Sequence, residues 1–138
     1  MFEAGDIRAN ENILLLSYHT IFVREHNRLC DQIRLKDPSL NDEEIYQAAR
    51  HYVIGLLQKI TMDDFLPLLL GDSYYQHIGG YHGYKPYINP NIPTEFSTAA
   101  FRIGHTLLVD VFLMVNEYGH KVGEFELKEL FFRPNFLN

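Results

Sequence analysis

At 138 residues the chain has room for one domain of ordinary size and not for two. Apolar residues make up 46 % of it, enough to build a core, which excludes wholesale disorder. Twelve Lys and Arg against eighteen Asp and Glu leave a net charge of −6. An acidic chain without a basic cluster is a poor match for nucleic acid, whose binding rests on cationic contacts to phosphate.

The N-terminal run Met1-Phe2-Glu3-Ala4-Gly5-Asp6 has neither the basic nor the apolar region of a signal peptide. The stretch Gly5-Asp6-Ile7-Arg8-Ala9-Asn10-Glu11-Asn12 then sets a guanidinium and a carboxylate three apart at an expected helix start. Helix dipoles favour acids there, so on residues alone a solvated first turn explains the run as well as a site does. Leu14, Tyr18, Ile21, Phe22, Leu29 and Ile33 recur at three- and four-residue steps and predict a helix over 10–36, ended by Asp37-Pro38. Cys30 lies in that helix as the lone cysteine, which excludes an intrachain disulfide and any CxxC motif; it reads as an inert core thiol. His19 and His26 share a face, with Arg24, Glu25 and Arg28 forming a surface network around them. The Glu of HExxH is missing, so a zinc protease is not supported.

Asn41 and Glu44 make a capping box before a second helix over 42–62, with Ile45, Ala49, Tyr52, Val53, Leu56 and Ile60 on its apolar stripe. Leu66-Pro67-Leu68-Leu69-Leu70 follows, closed by Gly71. Glycines and prolines punctuate 72–92, predicting a long irregular loop in which Tyr74, Tyr75, Tyr81, Tyr84 and Tyr87 serve as anchors rather than as a site. A third helix is expected over 94–116, capped by Asn91 and, being apolar on nearly all sides, buried; strand is expected only as a short piece near 112–124. The ExxH of Glu117–His120 contains a glycine turn and has no second copy, so it does not read as a di-iron motif. Leu127, Leu130, Phe131 and Phe132 suggest a closing short helix or turn. No run approaches the roughly 18–20 apolar residues of a membrane span.

On the third helix His105 would share a face with Phe101, Arg102, Leu108, Val109 and Phe112. An imidazole in apolar surroundings, with a guanidinium one turn earlier, suits an axial haem ligand and a propionate partner. By spacing alone, a satisfied core or surface histidine is the commoner explanation.

Taken in order, Ala4-Gly5-Asp6-Ile7-Arg8-Ala9-Asn10-Glu11, His19-Thr20, Arg24-Glu25-His26-Asn27-Arg28-Leu29, Tyr46-Gln47-Ala48-Ala49-Arg50, Leu66–Gly71 and Phe101-Arg102-Ile103-Gly104-His105-Thr106 resemble the animal haem peroxidase family over almost the whole chain. The resemblance implies an all-α, mostly helical part of that family's fold, with residues 1–138 a partial haem peroxidase domain running from the distal-arginine motif through the proximal-histidine helix. It implies haem b as cofactor and an extracellular setting. The reaction it implies is reduction of hydrogen peroxide with oxidation of a halide, phenol or other small electron donor.

By the same resemblance Arg8 is the catalytic distal arginine, Glu11 the carboxylate that can form an ester to haem, Arg102 a propionate partner and His105 the axial ligand of the iron. Asn12 stands where some members carry the methionine of a sulfonium link, so that link is not expected. The family's distal histidine, its neighbouring aspartate and the calcium loop lie upstream of the AGDxRxxE motif, and the asparagine orienting the proximal imidazole lies downstream. The expectation is therefore a fragment or a degenerate core whose partner is the remainder of the domain and whose peroxidase activity alone is poor. The rival reading is a haem-binding but non-catalytic protein, or a haem-less helical interaction module on the same scaffold.

Overall fold

A computed structural model describes residues 3–133 and is mostly helical, with one two-stranded sheet. The described residues divide into two compact units: one from His19 to Lys85, the other from the residues up to Tyr18 together with those from Pro86 onward.

The His19–Lys85 unit takes in most of α1 (Ile13–Lys36) and all of α2 (Asp42–Ile60). The α1 helix ends where Asp37 turns its side chain back to accept from the backbone N–H and hydroxyl of Ser39. The predicted capping box then starts α2: Asn41 Oδ1 accepts from Glu44 N at 3.0 Å and Glu44 Oε2 accepts from Asn41 N at 2.8 Å. Substituting Asn41→Ala should cost about 1 kcal/mol, read as a lower denaturant midpoint with an unchanged slope. The two helices touch where the Tyr46 ring meets His26 edge-on, centroids 5.2 Å apart. Leu29, Ile45, Ala49 and Tyr74 are this unit's buried side chains, Ala49 completely so. Cys30 is half-buried rather than in the core, its Sγ 3.7 Å from His26 Nδ1. The surface network forms as Arg28 grips Glu25 through two bonds of 2.7 Å.

Beyond Ile60 the chain stays helical through a π-turn (Thr61–Phe65) into α3 (Leu66–Leu70). Pro67 has no N–H to continue the ordinary ladder, and the wider turn, with Leu66 N bonded to Thr61 O, accommodates it. Gly71, at φ +54°, breaks the helix in a conformation that suits glycine. The expectation of irregular chain from residue 72 needs correcting: Asp72–His77 form a short helix, α4, with Tyr74 buried and Tyr75 packed edge-on against it. Anchoring holds for Tyr74, while Tyr75 is itself 68 % exposed. Tyr81, Tyr84 and Tyr87 anchor nothing, being 76, 84 and 89 % exposed.

The other unit holds the 3₁₀ turn Ile7–Asn10, the first turns of α1, and everything after Lys85. Asn12 caps α1, its Oδ1 accepting from Leu15 N at 3.0 Å. The expected helix over 94–116 does not form as one element. α5 spans Thr94–Thr98 behind Pro93, without a side-chain cap, and gives way at Ala99 to a 3₁₀ run over Ala100–Leu107. Leu108 is already extended, and Val111–Val115 is a strand, β1, paired antiparallel with β2 (Lys121–Glu126). Asn116 shapes the hairpin turn by accepting from Tyr118 N and His120 N, with Gly119 at φ +79°. The expected burial also fails, since every residue from Tyr81 to Val111 is exposed. After the 3₁₀ turn Leu127–Glu129 the tail returns to the first turn, Phe132 N donating to Glu11 O at 2.8 Å beside an Asn12–Phe131 bridge. Asn10, Leu16 and Leu130 are this unit's buried residues.

Candidate active site

The first candidate turn is built by Asp6. Its backbone is extended (φ −131°, ψ 129°), and its carboxylate caps the 3₁₀ turn by accepting from Arg8 N at 2.8 Å. The same carboxylate takes the Arg8 side chain: Nε donates to Oδ1 at 3.1 Å and Nη2 to Oδ2 at 2.7 Å. These side-chain bonds, and next the backbone one, hold the Asp6 carboxyl down at about 2, while Asp6 in turn raises Arg8 above its ordinary value. The carboxylate's contribution to the folded state is therefore complete above the ordinary aspartate range near 4 and is lost as pH falls through about 2. Arg8 remains open to solvent, its side chain 73 % exposed.

Glu11 closes the turn. Its N–H donates to Arg8 O at 3.0 Å and its carbonyl accepts from Phe132 N. The Glu11 carboxylate makes no hydrogen bond among the described residues and adds to the favourable charge around Arg8. The guanidinium and carboxylate three apart are thus not partners; Asp6 is the partner of Arg8, a role the sequence analysis did not assign. The signal was present, in an Asp placed as cap two residues before an Arg.

Arg102 and His105 lie on the Ala100–Leu107 turn. At about three residues per turn, positions i and i+3 eclipse, so Arg102 and His105 align along one edge. The face expected from α-helical spacing is not assembled: Phe101 falls elsewhere on the turn and stacks with Phe96 at 5.7 Å. Val109 lies beyond the turn, and Phe112 lies in β1. Both side chains are exposed, and neither the His105 imidazole nor the Arg102 guanidinium has a hydrogen-bonding or ionic partner among the described residues. The Arg8–Glu11 turn and the Arg102–His105 turn come from well-separated stretches of sequence yet belong to one compact unit.

Among the described residues no three His, Cys, Asp or Glu side chains gather as a metal site. An iron already held by a macrocycle asks the protein for an axial donor. His105 has a ring nitrogen to give, with an unengaged cation three residues before it for an acidic substituent. The donor set fits that kind of group.

The comparisons with known proteins converge. The model of the family described as "Animal haem peroxidase" matches residues 1–138. The chain is 40 % identical to peroxidasin of Drosophila melanogaster over 96 % of its own length and 9 % of that protein's. It is 42 % identical to lactoperoxidase of Mesocricetus auratus, over 95 % of this chain and 19 % of that one. Among solved structures, peroxidase A from Dictyostelium discoideum superposes with a TM-score of 0.85 at 34 % identity, covering all of this chain and 26 % of that one. Fold and likeness together define a mostly helical scaffold of the peroxidase class. The chain belongs to the animal haem peroxidase family, and it spans less than a third of the length of these relatives.

Proposed function

We propose that the chain is the part of a haem peroxidase domain running from the distal-arginine turn to the proximal-histidine turn. In the assembled domain it serves reduction of hydrogen peroxide, with oxidation of a halide, phenol or other small donor in an extracellular setting. The observation that carries this reading is the pair of unengaged side chains, His105 and Arg102, aligned on one turn of a chain that the family matches end to end. Bound haem supplies the ferric iron at which peroxide is reduced. His105 would hold that iron through a ring nitrogen, and Arg102 would offer its guanidinium to a propionate. Glu11 presents a carboxylate that would form an ester at a haem methyl carbon once hydrogen peroxide, as two-electron oxidant, has removed a hydrogen from that carbon. Arg8 directs its cation at the peroxide oxygen that gains negative charge as the O–O bond breaks, the kind of fixed charge that is worth most where the negative charge develops.

The reading gives no residue of the chain the part of general base, a contribution typically worth about 10²–10⁴-fold, so the haem-loaded chain should react slowly with peroxide. Arg8→Ala tests the assignment. It should leave the haem absorption band in place and lower the second-order rate with peroxide by about 10²–10³-fold, measured by stopped flow. A wild-type chain that binds no haem, or an Arg8→Ala chain reacting at the wild-type rate, would reject it.

A further inference from the structure

We propose that Asp6 is a positioning residue for Arg8, its carboxylate fixing the direction in which the guanidinium presents its charge. The inference rests on the reading of Arg8 given above. Three bonds converge on one carboxylate. Oδ1 is shared by Arg8 N at 2.8 Å and Arg8 Nε at 3.1 Å, and Oδ2 takes Arg8 Nη2 at 2.7 Å. The backbone bond ties the carboxylate to the turn, so its place does not depend on the side chain it holds. The turn is itself closed by Ala9 N on Asp6 O and Glu11 N on Arg8 O, both at 3.0 Å. Against a fixed carboxylate, the observed side-on pairing through Nε and Nη2 sets both the plane and the direction of the guanidinium, which a lysine could not copy.

The clamp uses Nε and one N–H of Nη2. Both N–H groups of Nη1 and the second of Nη2 stay free, on the side away from Asp6, to meet an anionic oxygen. An ion pair this exposed adds little to stability; what it supplies is orientation. Were Asp6 merely neutralising Arg8, removing its charge would speed the reaction with peroxide, so the sign of the effect separates the two roles.

The test uses Asp6→Asn, which keeps an oxygen able to cap the turn but loses the charge and the second acceptor. In the ¹⁵N-labelled chain the Arg8 Nε–H should exchange slowly with water, and in Asp6→Asn it should exchange at the rate of a free arginine. In the haem-loaded chain Asp6→Asn should lower the peroxide rate about tenfold or more, and should have no further effect on an Arg8→Ala background. Equal Nε–H exchange in the two proteins would overturn the proposal, as would a faster Asp6→Asn chain or losses that simply add. If the wild-type chain does not react with peroxide, the peroxidase reading falls while Nε–H exchange still decides whether Asp6 positions Arg8.

Discussion

His105→Ala should abolish the shift of the haem absorption band on titrating haem into the chain, while Arg102→Ala should only weaken binding. The two differ because His105 would supply the bond to iron itself, whereas a guanidinium contributes a charge-assisted hydrogen bond worth about 1.5–3 kcal/mol, roughly ten- to a hundredfold in affinity. Two other histidines are poorly placed to take over. His82 Nε2 is engaged with Ile78 O at 3.0 Å, and His26 Nε2 is buried without a partner. His105 is the only histidine on its turn. Adding free imidazole to His105→Ala should restore the band, separating a lost ligand from a lost fold. An unchanged band in His105→Ala would mean that the iron is held elsewhere, whatever the family.

The two long helices were legible because their causes are local: a 3.6-residue apolar stripe, an Asn–Glu capping box and an Asp-Pro stop. The failure over 94–116 has an equally physical origin. Phe96, Ala100, Ile103 and Leu107 fit an apolar helix, but all four stay exposed, and the run gives way to 3₁₀ turns. Val111–Val115 is a five-residue apolar run of a length that periodicity cannot assign to helix or strand. Asn116 and Gly119 carried the hairpin signal. The pairing of Asn12 with Phe131 joins opposite ends of the chain, and no local pattern encodes it. The alignment of Arg102 with His105 follows from their spacing, which a 3₁₀ turn preserves, whereas their roles come from the family resemblance and not from the spacing. The partner of Arg8 is not legible in the sequence, because carboxylates flank it on both sides, at Asp6 and Glu11, and only the capping geometry of the turn selects Asp6.

The exposed apolar surface of the second unit should make the chain self-associate when it is alone in solution. Phe101, Ile103, Leu107, Leu108 and Val109 are 42–65 % exposed, and Leu113 and Val115 on β1 are 60 and 58 % exposed. Full burial of such a side chain is worth about 1.5–3 kcal/mol. Leaving about half of each of the first five uncovered forgoes about 5 kcal/mol, comparable to the low end of a domain's whole stability. Contiguous apolar patches beyond a few hundred Å² are rare on monomers, and β1 and β2 add open strand edges that invite pairing. The average mass seen by light scattering should therefore rise with concentration, and the chain should bind an apolar dye such as anilinonaphthalene sulfonate. Ile103→Glu with Leu107→Glu should lower both signals and leave the helical circular dichroism of α1 and α2 intact, because neither position is buried. A wild-type chain that stays a monodisperse monomer and melts in one sharp transition would show that this surface is covered within the chain itself.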